Sequence, residues 1–253
     1  MRAPVQQESL VFTRREDGAA PSSPFAGPRE TVPDARGDFT VRNLEAGRYR
    51  FGLRLLDDSL FVRAITLRAG EITTATPPGA ASAVASPGAT SPASTVTTMT
   101  AAAARAASDL ARNGFAVKAG DRLAGVNIII GAGAAGLRGR VTPASEAESL
   151  PEALRVHLVP AERERAEDVP HYHETRTRPD GTFSFRNLAP GRYLLVARPV
   201  PEGELRQAEP PRPAAWAAAA RAELRREAEA AKNAVELLPC QRGEDFARRF
   251  NVK

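Results

Sequence analysis

Hydrophobic and polar residues alternate with a period of two along much of this chain, the spacing that puts one face of a β-strand into a core and the other into water. The clearest stretch runs from Arg48 to Leu55: Tyr49, Phe51, Leu53 and Leu55 share one face, and Arg48, Arg50 and Arg54 share the other. Phe183 and Phe185 oppose Thr182, Ser184 and Arg186 in the same way, and Tyr193, Leu195 and Ala197 continue the pattern. It predicts further strands over Leu10-Val11-Phe12, Leu60–Leu67, Gly125–Ile130, Leu137–Val141, Leu154–Val159 and Val235–Leu238. Short strands with one buried and one wet face are those of an antiparallel sandwich. Near the C-terminus the period changes. Trp216, Ala220, Leu224, Ala228 and Ala231 form a stripe at helical spacing, Pro213 suits a first helical turn, and Asn233 is a stop signal. A helix is expected over 213–232.

The alternation belongs to a repeat. The segment Gly37 to Tyr49, GDFTVRNLEAGRY, recurs 144 residues later as Gly181 to Tyr193, GTFSFRNLAPGRY, with eight of thirteen positions identical. Each copy opens on a turn, because Asp and Gly tolerate the dihedrals of a tight reversal. A strand follows, Leu188 plugs the corner, and Pro190-Gly191 turns the chain into the next strand. A tyrosine directly after that turn matches the tyrosine corner of immunoglobulin-like sandwiches. Two tandem modules are therefore expected, over 1–132 and 133–253.

Composition narrows the function classes. The 253 residues are 42% hydrophobic, enough for a core in each module, and the formal charge is +5. The arginines alternate with apolar residues and do not cluster, which fits a solvated sheet face (Arg48, Arg50, Arg54) before a nucleic-acid surface. Cys240 is the one cysteine, so no internal disulfide and no cysteine-based metal cage can form. Following Pro239, it is expected to be a small buried hydrophobe. No apolar run is long enough for a membrane-spanning helix, and the first residues lack the apolar core of a signal peptide.

Two motifs look like chemistry. Val126 to Leu137 reads VNIIIGAGAAGL, a strand entering G-x-G-x-x-G, which in dinucleotide-binding folds lets backbone amides meet a pyrophosphate at a helix N-terminus. Here Gly139 and Pro143 interrupt the required helix, and Leu137–Val141 alternates like a strand. The acidic ribose ligand, expected about 20 residues on, is also misplaced: Glu162 lies too far along. The segment is therefore expected to be a glycine-rich linker between modules. His171 and His173 flank Tyr172, so on a strand both rings would share a face, with His157 or Glu174 as a third zinc ligand. The preferred reading is a polar edge or loop ahead of the Asp180 turn. Glu162 and Glu164 read as solvated charge, and Trp216 as helix core. No catalytic, cofactor-binding or metal-binding residue is assigned, and no cofactor is expected.

The repeated unit Asp-Gly-x-Phe-x-Phe-x-x-Leu-x-Pro-Gly-x-Tyr resembles the carboxypeptidase regulatory-like family. The second copy matches it from Leu137–Val141 through Pro179–Ala197. The first departs at Arg36-Gly37-Asp38 and at Ala46 but keeps the aromatic spacing. The resemblance implies a mainly β chain of two tandem antiparallel Greek-key β-sandwich modules, transthyretin-like and related to carbohydrate-binding-like folds. Such modules carry no catalytic residues. The implied role is a non-catalytic structural or interaction module of an exported or surface-associated bacterial protein, extracellular or in the cell envelope, with a protein or glycan partner. A carbohydrate-binding module is the alternative.

The first module departs from the repeat upstream as well. Leu10–Phe12 aligns with Leu154–Val159, and Met1–Gln7 shows no counterpart of Leu137–Val141. An edge strand is expected to be missing there, supplied from upstream of Met1 or leaving an edge open to self-association. A second expectation concerns 73–104, which are Ala, Ser, Thr, Pro and Gly-rich without a charge after Glu71. That composition buries too little apolar surface to offset its ordering entropy, which predicts a disordered insert with a short helix in its tail around Ala101–Arg112. A broad-specificity protease should cut there first under limiting conditions. Cleavage that instead begins within Gly181–Tyr193 would contradict the assignment.

Overall fold

The computed structural model describes residues 9–16, 30–67, 72–74, 110–143, 150–205 and 213–249, with the side chains at 72–74, 111, 113 and 244–249 left out. The fold is mainly β. The N-terminal half contributes β1 (Ser9–Arg15), β2 (Glu30–Thr31), β3 (Gly47–Leu55), β4 (Leu60–Leu67), β5 (Ile72–Thr74), β6 (Phe115–Val117), β7 (Asp121–Leu123) and β8 (Val126–Ala132). The C-terminal half contributes β9 (Ala135–Thr142), β10 (Leu154–Pro160), β11 (His173–Arg176), β12 (Thr182–Leu188), β13 (Gly191–Pro199), β14 (Ala234–Leu237) and β15 (Arg242–Arg249). The sheets are β2-β1-β3-β6, β4-β8 and β5-β7 in the first half, and β11-β10-β13-β14 and β12-β9-β15 in the second. Pairing is antiparallel except between β15 and β9.

The repeat survives in three dimensions down to the register. Val11 pairs with Leu53 and Thr31 in one four-stranded sheet, and Val156 with Ala197 and Thr175 in the other, each partner displaced by the repeat length. Gly37 and Gly181 both take positive φ, of 86° and 79°. Asn43 and Asn187 take the left-handed conformation at 56° and 55°, which short polar side chains tolerate. The hydroxyls of Tyr49 and Tyr193 donate to the carbonyls of Glu45 and Ala189, each at 2.9 Å. The same residues therefore make the same local structure twice.

The halves differ in what this local structure meets. β12 pairs with β9 through Phe183↔Gly139 and Phe185↔Leu137, with a bulge before Leu188. The equivalent segment, Phe39–Leu44, joins no strand among the described residues. Burial follows. Phe183, Phe185, Leu188 and Leu195 lie within a closed core, Leu188 and Leu195 with no exposure at all. Their equivalents Phe39, Val41, Leu44 and Phe51 are only half-buried. The N-terminal core instead gathers Tyr49, Ile65, Leu67, Leu110 and Phe115, with Phe51 stacked on Phe115 at 4.6 Å.

Several expectations need correction. The C-terminal helix spans Ala218–Ala231, because Ala214–Trp216 forms a separate 3-10 turn after Pro213, and it stops at Lys232 in the left-handed conformation. Leu224 and Ala228 pack on Val159 and Val196, but Ala231 is exposed. Arg221, off the apolar stripe, is buried because it pairs with Glu167 and donates to the Ala215 carbonyl at 2.8 Å. Cys240 is exposed rather than buried, held in a turn with φ of 60°. The expected insert begins after β5, which takes in Thr73 and Thr74. The rest of 73–104 lies outside the described residues, and of the expected tail helix one turn at Leu110–Asn113 is described.

The repeat supplies its own control on burial. Leu188→Ala should cost about 3 kcal/mol of stability, as for a fully buried leucine, and Leu44→Ala about 1 kcal/mol or less, because the residue is only half removed from water. Chemical denaturation of the two variants checks this; equal losses would contradict the difference in core closure.

Candidate functional site

Among the described residues β9 has no counterpart in the N-terminal half, and a groove of about 1720 Å³ lies there. One wall is Phe39–Leu44 and the other is β8, the last strand of its half as β15 is of the other. β8 pairs with β4 along one edge, through Ile65↔Ile128 and Leu67↔Val126. The floor is apolar: Phe39, Val41, Phe51, Phe115, Val126, Ile128 and Ile130. Charges stand at the rim, with Arg36, Arg42, Lys118 and Arg122 against Asp38 and Asp121. Asp121 is engaged in its own turn, accepting from the Lys118 amide at 2.9 Å. A groove with an apolar floor and a charged rim, bordered on one side by β8, is suited to an extended chain more than to a compact small molecule.

A second polar cluster lies where the halves meet. Arg50 was expected on a wet face, but only 6% of it is exposed. Its Nε lies 2.7 Å from Glu16 Oε1, and its terminal nitrogens donate to the carbonyls of Arg112 at 3.1 Å and Trp216 at 3.2 Å. Burial lowers its pKa, and Glu16 opposes that effect. Arg48 reaches the other Glu16 oxygen from a solvent-exposed position at 2.9 Å, and Arg54 is exposed as expected. Trp216 is not helix core. The guanidinium carbons of Arg14 and Arg50 each lie 5.9 Å from its ring centroid, within cation–π range. Parity along β3 could not reveal this, because it says which residues share a face and not what covers the face.

The joint is fixed at its other end too. The chain bends between β8 and β9 at Gly133, with φ of 87°, and the amides of Gly133 and Ala134 both donate to Ser59 at 2.8 Å. The Asn187 amide nitrogen donates to the Asp57 and Leu60 carbonyls at 2.7 and 2.8 Å. Arg186 and Arg242 face Asp58 at 3.7 and 3.5 Å. The G-x-G-x-x-G segment is thus strand, bend and strand, pinned on both sides rather than a loose linker. The helix that a dinucleotide fingerprint needs is replaced by β9. Gly131 has a packing reason: the Phe61 ring would lie 2.5 Å from any Cβ there.

His157 and His171 are buried, and His173, half-buried, opens β11, an edge strand of its sheet, as the polar-edge reading of 171–173 expects. His157 pairs in register with Glu174, and Leu158 with His173, so His157 and His173 point to opposite faces of the sheet. His157 Nδ1 lies 3.5 Å from Glu174 Oε2. His173 sits against Tyr193, ring centroids 6.5 Å apart. His171 ends a 3-10 turn, its Nδ1 2.8 Å from Asp168 Oδ2. Among the described residues no group of three or more His, Cys, Asp or Glu side chains could hold a metal ion. Glu162 accepts from the Arg192 amide at 3.2 Å, a structural role, and Glu164 lies in an exposed turn.

Comparison with known protein families and with curated proteins finds no match. Among solved structures, the TIE protein of Bacillus anthracis aligns with a TM-score of 0.26 and 10% identity, over 96% of this chain and 30% of that one. The chain thus spans under a third of that protein's length. No helix among the described residues is long and apolar enough to cross a membrane.

The histidines set a pH dependence. Burial, with Arg198 and Arg155 nearby, pushes His157 down to about 3, and burial with His171 nearby pushes His173 down to about 4, both from 6.5. Between those values and 6.5 the unfolded chain binds more protons than the folded one, so stability is full above about pH 6.5 and falls on acidification toward pH 4. The slope is on the order of 1.4 kcal/mol per pH unit per ring. Glu174, whose carboxyl is pushed up by burial, opposes part of this loss at the acid end. Unfolding midpoints measured across pH 4–7 should fall with pH in the wild type and fall less steeply in His157→Gln. A midpoint flat over that range would contradict the buried neutral rings.

Proposed function

We propose that this chain is a non-catalytic structural and interaction element of an exported or surface-associated bacterial protein, built as two tandem Greek-key sandwich modules of the carboxypeptidase regulatory-like type, with the boundary at Gly133. The observation that carries the reading is how the buried polar groups are used. Arg50, Glu16 and Arg221 do not converge on a cleft. They hold one half against the other or the helix against the turns at Ala215 and Glu167. Asn187 and Ser59 bridge the same joint through backbone groups. Such a chain presents its surfaces at a fixed relative orientation, which suits a rigid spacer that also docks a partner.

The carbohydrate-binding alternative calls for an exposed aromatic platform. Among the described residues the exposed large hydrophobics are Val32, Leu56, Ile129 and Leu238, none of them aromatic. Trp216, the one tryptophan, has two guanidiniums within 5.9 Å of its ring centroid. The immobilised full chain should retain a protein from an envelope fraction of the source cells, and free sugars should not displace it. Calorimetric binding of a glycan at sub-millimolar affinity would replace this reading with the carbohydrate one. A partner recovered from the cytosolic fraction alone would contradict the exported setting.

A further inference from the structure

We propose that the groove of the N-terminal half is a strand-acceptor site for an acidic, extended segment of another polypeptide, which would lie antiparallel to Phe39–Leu44 and parallel to β8. The proposal rests on the reading of the chain as an interaction element and names the class of partner.

The C-terminal half displays the filled form of the same slot. There β9 runs antiparallel to β12 and parallel to β15. Its inward residues Leu137 and Val141 are buried to 2% and 1% exposure, with Gly139 between them opposite Phe183. In the N-terminal half both walls line the groove, and no described residue forms a middle strand between them. Phe39–Leu44 keeps the repeat's left-handed asparagine at Asn43, yet belongs to no ladder among the described residues. Among the described residues β8 is paired with β4 alone. Backbone donors and acceptors along two facing edges, above an apolar floor, are what a bound strand satisfies when it adds to a sheet. The inserted segment would place apolar side chains at alternate positions over Phe39, Val41, Phe51 and Ile128.

Charge chooses the outward residues. In the filled slot Arg140 of β9 faces Asp180 at 3.8 Å. The position equivalent to Asp180 in the first copy is Arg36, and it lines the groove. Arg42, Lys118 and Arg122 add to the same sign along the rim. A strand with arginines outward, such as β9, would meet like charge in the first slot, whereas glutamates in their place would meet opposite charge. The two slots differ in the sign they select.

The test is calorimetric titration of the full chain with two synthetic peptides. One carries residues 134–143, AAGLRGRVTP, and the other is identical except for glutamate at both arginine positions, AAGLEGEVTP. The glutamate peptide should bind with one-to-one stoichiometry, about tenfold tighter than the arginine peptide at low salt, and the difference should shrink as salt screens it. Arg36→Glu, at an exposed rim position, should narrow or invert the preference. Val41→Asp should abolish binding of both peptides while the unfolding of the C-terminal half stays unchanged. No heat from either peptide at millimolar concentration would overturn the proposal, as would equal affinity for the two peptides in wild type and Arg36→Glu. A chain that dimerises through the groove and resists displacement by the glutamate peptide would overturn the assigned occupant in favour of a second copy. Retention of an envelope partner that Val41→Asp does not affect would defeat this site and leave the broader interaction role standing.

Discussion

A β-strand flanked on both sides buries its backbone hydrogen bonds and one full face of side chains, and the difference between the two halves of this chain depends on that constraint. β9 meets it by lying between β12 and β15, and around it Leu137, Val141, Phe183, Phe185, Leu188 and Leu195 close into a core almost without exposure. The first half has the same turn, the same left-handed asparagine and the same tyrosine hydrogen bond, but the described residues place no strand between Phe39–Leu44 and β8. Local sequence therefore suffices to reproduce local conformation. It does not suffice to close the sheet, which needs a partner from elsewhere in a chain or from another chain.

The joint between the halves determines how this open slot is presented. Arg50 is stabilised in a largely desolvated place by Glu16, by two carbonyl acceptors and by the face of Trp216. Removing one member of such a set leaves the others buried without compensation, which is costlier than never having made it. Asn187 belongs to the repeated unit yet spends its amide on the Asp57 and Leu60 carbonyls of the other half. The repeat thus uses one of its own conformational devices, the asparagine bulge, as a clasp between copies. Its counterpart Asn43 is exposed at the groove.

Much of this architecture was legible in the residues. Period-two alternation located β3, β4, β8, β9, β10, β13 and β14 to within a few residues, because each turns alternate residues into a core, although β10 and β13 are covered on their other face by the helix. The repeat located the turns and the tyrosine hydrogen bonds. What escaped was whatever the second half does to the first. Arg50 sits on the polar parity of β3 and is buried because Trp216 of the other half covers it. β15 reads as RGEDFARR, with no alternation, because it joins the sheet as a parallel outer strand. β11, HETR, looks polar and is an edge strand, yet it pairs with β10, where His157 is buried and His173 half-buried on opposite faces. The groove itself was foreshadowed by the lack of a counterpart to Leu137–Val141, although its basic rim emerged only once Arg36, Arg42, Lys118 and Arg122 were brought together.

Native-state amide hydrogen exchange tests the unequal closure of the two copies most directly, since the repeat places identical or similar residues in a paired and an unpaired segment. The amides of Phe185 and Leu188, on the strand that meets β9, should exchange slowly, at rates set by opening of the C-terminal half. The amides of Val41 and Leu44, at the equivalent positions, should exchange orders of magnitude faster in the isolated chain. Equal protection of the two segments would contradict an unfilled strand position in the first copy.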